Sequence, residues 1–117
     1  MKNIDRITFI TEYKESEHIL IDEGQFFDDL SEFVREAVDK DGKSVYIAGL
    51  LSDFERKPFH NLYRILPLAD NIIFKHGKCA YCDNESVFSK RVVKCKTQVL
   101  VGSDSYKPVC RKCYLIK

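Results

Sequence analysis

Four cysteines spaced as Cys79-x-x-Cys82 and Cys110-x-x-Cys113 carry the most specific chemistry in this chain. Each pair can close on one metal ion, and two such pairs supply the four thiolates of a tetrahedral structural zinc site. With every position taken by protein, such an ion holds structure and leaves no place for a reactant. The fifth cysteine, Cys95, lies between the pairs. An odd count disfavours a secreted disulfide framework and points to a reducing, cytoplasmic compartment. Cys95 reads as a small buried or half-buried side chain rather than a nucleophile.

The second chemical feature is Ile19-Leu20-Ile21-Asp22-Glu23-Gly24-Gln25-Phe26-Phe27, an apolar run closing in two adjacent carboxylates. In a parallel α/β sheet, ligands bind beyond the carboxyl ends of the strands. An acid there can hold magnesium beside nucleotide phosphates, and its neighbour can accept the proton of an attacking hydroxyl. The alternative is a solvated strand end, which many acidic strand termini are. Gly24 supplies a close turn, and Phe26 and Phe27 supply flat apolar surfaces that also suit a core. Phosphate chemistry further needs a cradle of the form Gly-x4-Gly-Lys-Ser/Thr between a strand and a helix. The nearest match, Ala37 to Ser44, runs from a helix end into a strand, so no helix N-terminus would face the phosphates. It reads as an ordinary helix-to-strand turn, and the sequence holds no other match.

The elements that must position these groups follow from the apolar pattern. His18 to Asp22 is a short β-branched run, expected as a strand buried on both faces of a parallel sheet. Leu30, Phe33, Val34, Ala37 and Val38 recur at helical spacing, with Asp28 and Asp29 where acids favour a helix start. Asp41-Gly42 stops that helix, and Ser44 to Leu50 is a second buried strand, which completes a βαβ unit. Phe59, Leu62, Tyr63, Leu66 and Leu68 mark a shorter amphipathic segment broken by Pro67. Ile72-Ile73-Phe74 is a third strand-like run. Ser86 to Val93 and Thr97 to Val101 read as two strands of a ribbon between the cysteine pairs. Ile7 to Thr11 has strand-like content, and Glu12 to Glu17 reads as a polar connection.

The 117 residues suit one ordinary domain or a small core with a metal-stapled appendage. A composition of 44% hydrophobic and 32% charged residues is globular, neither disordered nor membrane-spanning. A net charge of +1 offers no broad attraction to nucleic acid or to a membrane surface. The start, Met1 to Arg6, lacks the apolar stretch of a signal peptide.

With these motifs in place, residues 18 to 116 resemble the type II thymidine kinase family of cellular and poxviral enzymes. The blocks that carry the likeness are Asp22 to Phe27, Ala48-Gly49-Leu50, Phe54 to Phe59, Leu66 to Ala69, Phe88-Ser89-Lys90-Arg91 and Tyr106 to Tyr114, interleaved in order with both cysteine pairs. The resemblance implies an α/β fold: a truncated P-loop-kinase-like parallel sheet with helices, plus a small zinc-ribbon lasso domain. Residues 1–17 are then unassigned, 18–78 form a partial nucleotide-kinase core, and 79–117 form the lasso. The family transfers the γ-phosphate of ATP to the 5′-hydroxyl of thymidine, in deoxynucleotide salvage for DNA synthesis.

By that resemblance Glu23 is the catalytic base, and Asp22, Glu23, Gly24 and Gln25 line the magnesium–ATP side. Phe26, Leu50, Phe54 and Phe59 would enclose thymidine, whose apolar faces suit an aromatic pocket. Ser89, Thr97, Gln98, Val99, Leu100, Val101 and Tyr106 would approach the base from the lasso. Cys79, Cys82, Cys110 and Cys113 would hold the structural zinc. Arg56 and Lys57 would either steer phosphate or stand as solvated charges. Thymidine or one of its nucleotides, ATP with magnesium, and a homo-oligomer or a chain supplying the rest of the enzyme are the implied partners.

The sequence departs from the family pattern at three places. Leu50-Leu51-Ser52 stands where relatives commonly carry Leu-Asp-Gly, and Leu100-Val101-Gly102 where they carry Ile-Gly-Gly. Residues 1 to 21 are also too few to encode the phosphate loop and the two strands that the family places before the acidic strand. The expectation is therefore a kinase lacking its N-terminal part and not self-sufficient. A non-catalytic nucleoside-binding or regulatory remnant is the alternative. An unrelated zinc ribbon that binds nucleic acid or protein would leave the Asp22–Phe27 and Phe54–Phe59 blocks unexplained.

Overall fold

The computed structural model of the chain describes residues 10–92 and 105–116. It comprises two compact units, one of residues up to Leu51 with Pro58–Ile72, the other of Ser52–Lys57 with residues from Ile73 onward.

The first unit is a βαβ arrangement. Strand β1 (His18–Ile21) pairs in parallel with β2 (Ser44–Ile47), His18 opposite Ser44 and Ile21 opposite Ile47. Between them run α2 (Leu30–Val34) and a wider π-helical turn, Arg35–Lys40. As the spacing predicts, Leu30, Phe33, Val34 and Ala37 are its buried face. Leu30 and Val34 cluster with Leu62 and Ile65, and Ile21, Val45 and Ile47 of the sheet pack against them. The helix ends where Gly42, at φ 68, returns its N–H to the Val38 carbonyl. Only a residue without Cβ enters that left-handed conformation without strain. Lys43 follows, with Nζ donating to the Ser16 carbonyl at 2.7 Å. Ala37 to Ser44 is thus the plain helix-to-strand turn that its context indicates.

Three expectations are corrected. The strands are not buried on both faces: Leu20 and Tyr46 are 78% and 55% exposed, while their neighbours along each strand face the core. The polar segment from Glu12 is helical, within α1 (Ile10–Glu15). Tertiary contacts fix it: the Tyr13 ring meets Phe33 edge-on, and its hydroxyl donates to Asp41 at 2.5 Å. Finally, Ile72-Ile73-Phe74 belongs to no strand or helix, and all three residues are more than half exposed. Strand composition makes a strand only where a partner is present to pair with it. Helix α3 (His60–Tyr63) and a 3-10 turn at Leu66–Leu68 that contains Pro67 complete the described part of this unit.

The second unit is built on an antiparallel pair. Strand β3 (Phe88–Arg91) lies against β4 (Tyr106–Val109), Phe88 opposite Val109 and Arg91 opposite Tyr106. Helix α4 (Arg111–Leu115) follows at once, with Cys110 at its N-cap. The expected ribbon strand Thr97 to Val101 and Cys95 lie outside the described residues, as do Ile7, Thr8 and Phe9. The buried centre of this unit is Cys79, Val109 and Cys110, with Cys82, Phe88, Cys113 and Tyr114 packed against it. Most of that core is cysteine.

Candidate functional site

In the second unit the two cysteine pairs converge. All four sulfurs lie within 4.8 Å of one another, with Cys82 Sγ 3.6 Å from Cys110 Sγ and 3.9 Å from Cys113 Sγ. Tetrahedral Zn–S bonds of about 2.3 Å place ligand sulfurs about 3.8 Å apart, so the donor set and its spacing both fit a zinc ion. Local structure creates the cluster: Cys79 N–H donates to the Asn84 carbonyl, and Ala80 N–H to that of Pro108, folding the first pair onto the second.

The thiols are unequal. Burial pushes Cys79 up, but the N–H groups of Cys110, Tyr81 and Cys82, with the Cys82 thiol, outweigh it and bring Cys79 down to about 6. Cys110 is lowered, chiefly by the Cys113 N–H. Burial and the three neighbouring sulfurs push Cys113 up to about 12. Cys82 is raised: the Asn84 N–H pulls it down, but burial and the Cys110 and Cys79 sulfurs prevail. Sulfurs this close cannot all ionise without a cation among them, and a dication at their centre is what the arrangement suits.

In the first unit the acidic strand end is organised around Gln25. After β1, Asp22 is exposed and its Oδ1 accepts the Glu23 N–H at 2.9 Å. Glu23 adopts a left-handed conformation, φ 53 and ψ 47, which turns the chain into the 3-10 turn Gly24–Phe26. Gln25 is 1% exposed. Its Nε2 donates to Glu23 Oε2 at 2.9 Å, and its Oε1 accepts the Leu50 N–H at 3.2 Å. Gly24 N–H donates to the Ala48 carbonyl, and Asn61 Nδ2 reaches both the Gln25 carbonyl and Asp28. Gly49 leaves room for that amide, since a Cβ would stand 2.5 Å from Gln25 Oε1. Phe26 meets buried Phe59 edge-on, ring centres 6.2 Å apart. Leu50 is half exposed at the end of the same run.

The remaining sequence-predicted residues belong to the second unit. Phe54 lies in a tight turn that Asp53 shapes: Asp53 Oδ1 accepts the N–H groups of Glu55 and Lys57 at 2.8 and 2.9 Å. Phe54 faces Tyr106 at 6.5 Å between ring centres. Ser89 is half-buried on β3, opposite Pro108. Arg56 is exposed, and its guanidinium lies over the Tyr114 ring at 4.8 Å. Lys57 stands 3.9 Å from Glu55 with both side chains largely solvated. Thr97, Gln98, Val99, Leu100 and Val101 lie outside the described residues. The sequence carries no direct sign of the bridging by Gln25 or of the stacking of Arg56 on Tyr114 and of Arg91 on Phe54, because each depends on a partner distant along the chain. The one available hint is that Tyr114 directly follows a ligand cysteine.

A family model described as thymidine kinase matches residues 1–114. A thymidine kinase of Rabbit fibroma virus (strain Kasza) is 42% identical over 113 residues, covering 96% of this chain and 62% of that protein. One from Oryza sativa subsp. japonica is 42% identical over 104 residues, covering 88% of this chain and 38% of that protein. One from Vaccinia virus (strain Western Reserve) is 42% identical over 96 residues, covering 81% and 54% respectively. The chain thus spans between 38% and 62% of the length of these relatives.

Proposed function

The chain belongs to the thymidine kinase family, and on that footing we propose that it provides the nucleoside side of ATP-dependent phosphoryl transfer to the thymidine 5′-hydroxyl. The observation that carries this reading is the Glu23 carboxylate, held by a buried amide at the end of a parallel strand. In the same unit stands the aromatic pair Phe26 and Phe59. Positioned in this way, Glu23 takes the proton of the attacking hydroxyl, which makes that oxygen a better nucleophile toward the γ-phosphate. Asp22, exposed and adjacent, is assigned to the magnesium side, where the ion would neutralise charge developing on the phosphates. Phe26, Leu50, Phe54 and Phe59 are assigned to the apolar faces of thymine, and Ser89 and Tyr106 to its polar edge. Zinc at the four cysteines is structural in this reading, because all its ligands are protein.

These 117 residues hold no glycine-rich cradle between a strand and a helix. The reading therefore gives the phosphate side to protein beyond these residues, in the same chain or in a partner. A homo-oligomer and a cytoplasmic setting with reduced thiols accord with it.

The test pairs thymidine calorimetry with transfer of labelled phosphate from ATP, on the zinc-loaded chain and on Glu23→Ala. Thymidine should bind both proteins, and transfer by these residues alone should be very low and dependent on Glu23. Absence of thymidine binding would overturn the nucleoside assignment and leave a family member with another role. Transfer undiminished in Glu23→Ala would overturn the base.

A further inference from the structure

We propose that Arg56, Arg91 and Tyr114 are positioning residues that fasten the Phe54 turn to the four-cysteine centre, so that metal occupancy there sets where Phe54 stands. Asp53 closes the turn from within, and what fastens it to the rest of the unit comes from outside. Arg56 lies at φ 63, a conformation in which Cβ crowds the backbone and which non-glycine residues keep only when their surroundings impose it. Its surroundings are aromatic: the guanidinium is 4.8 Å from the Tyr114 ring centre and 5.3 Å from that of Phe88. Those two rings are themselves 5.1 Å apart. A planar cation across two ring faces is a favourable electrostatic and packing arrangement.

The main chain of the turn is held as well. Tyr114 Oη donates to the Phe54 carbonyl at 2.6 Å, a bond joining residues sixty apart in sequence. Tyr114 directly follows Cys113, and its N–H donates to the Cys110 carbonyl at 2.9 Å. Its place is therefore set by the second cysteine pair. The Phe54 side chain is gripped from β3, where the Arg91 guanidinium lies 3.9 Å from its ring centre and 4.9 Å from that of Tyr106. Arg91 also donates to the Tyr106 hydroxyl, and the two residues are cross-strand partners.

Each of these holders depends on the cysteine centre. Helix α4 has five residues, too few to persist without tertiary support. The buried core beneath it is Val109 with the cysteines themselves. A metal joining the four sulfurs fixes α4 and β4 together, and with them Tyr114, Tyr106 and Arg91. Without metal, the restraint on the Phe54 turn is lost even though no ligand lies in it. The consequence for thymidine rests on the function proposed above, but the restraint itself does not.

The test uses the whole chain with 4-fluorophenylalanine at position 54, followed by fluorine NMR as zinc is removed with a chelator and restored. A dispersed Phe54 resonance should move to the solvent-exposed position on chelation and return with zinc. Arg91→Gln and Tyr114→Phe should each shift it part of the way while still binding one zinc per chain, and Arg91→Lys should recover part of the Arg91→Gln change. Tryptic cleavage after Arg56 should be about tenfold faster in the metal-free protein, the response expected of a locally released segment. A Phe54 resonance and a cleavage rate indifferent to zinc would overturn the proposal, as would variants that bind zinc and leave the resonance in place. Adding thymidine separates the two readings. A resonance that responds to zinc but not to thymidine keeps the restraint and rejects the nucleoside assignment of Phe54.

Discussion

The side-chain amide of Gln25 holds the carboxylate of Glu23, Nε2 to Oε2 across 2.9 Å. The other end of that amide accepts the Leu50 N–H, so one buried side chain joins the end of β1 to the end of β2. Glu23 needs the support, since its left-handed backbone costs a non-glycine residue roughly 1 kcal/mol.

Replacing that amide should therefore be costly. Gln25→Leu fills a similar volume but leaves the Leu50 N–H and the Glu23 carboxylate without this partner. Urea unfolding should show a loss of about 0.5–1.5 kcal/mol, the net worth of a hydrogen bond whose remaining partner can turn to water. An unchanged midpoint would show that water replaces the amide at no cost.

Gly49→Ala should act on the same group. The added Cβ would lie 2.5 Å from Gln25 Oε1 and 3.2 Å from Leu62, and crowding of this kind costs about 1–3 kcal/mol. The damage should be smaller in a Gln25→Ala background, where the crowded atom is gone. A double-mutant cycle reads this directly, and strict additivity would mean that the backbone moves instead.

At Arg56 the two small replacements should differ. Arg56→Ala and Arg56→Gly both remove the guanidinium from the Tyr114 and Phe88 rings, but only glycine relieves the strain of φ 63. The alanine variant should be less stable by about 1 kcal/mol. Equal midpoints would mean that the turn relaxes to negative φ once the side chain is cut back.

Zinc uptake should be linked to pH with a definite sign. At pH 7 Cys79, with its thiol near 6, is already largely ionised, whereas Cys113, pushed up to about 12, must give up its proton to bind. Binding should release protons, but fewer than one for each of the four sulfurs. Affinity should fall as pH drops, steeply once it passes below about 6, where Cys79 also protonates. Calorimetry in buffers of different ionisation enthalpy measures the proton count. A pH-independent affinity would overturn thiolate ligation.

The outward side of the parallel pair should drive association. Leu20 and Tyr46 are exposed on two strands of a type that proteins ordinarily cover on both faces. Sedimentation should show self-association that Leu20→Lys reduces without lowering the unfolding midpoint. A monomeric chain at high concentration would count against this.

The sequence makes the βαβ unit and the metal cluster readable because both are written locally. Leu30, Phe33, Val34 and Ala37 fall on one helical face, and a two-residue gap brings paired cysteines together whatever surrounds them. What it hides is contingent on distant partners. His18 to Ile21 is continuous enough to suggest burial on both sides, yet nothing in four residues says whether the second side is covered. Pro108 disguises β4, since proline is tolerated only where a strand needs no donor. The helix at Ile10–Glu15 is polar and is fixed by Tyr13 against Phe33 and Asp41. Glu23 stands out as an acid at a strand end, whereas Gln25 acquires its role only when Ala48 to Leu50 close on it.

The same closure decides where this fold tolerates a change of length. At Gly42 the chain turns in the open, with nothing within 4 Å of where a Cβ would stand. An extra glycine there lengthens an exposed corner and should leave the unfolding midpoint close to that of the parent. After Gly49 the chain has no slack, because Leu50 must meet Gln25 and Phe59 N–H must meet the Leu51 carbonyl at 2.8 Å. An extra glycine there puts both meetings out of step. Insertions should therefore accumulate at the first corner and be purged from the second.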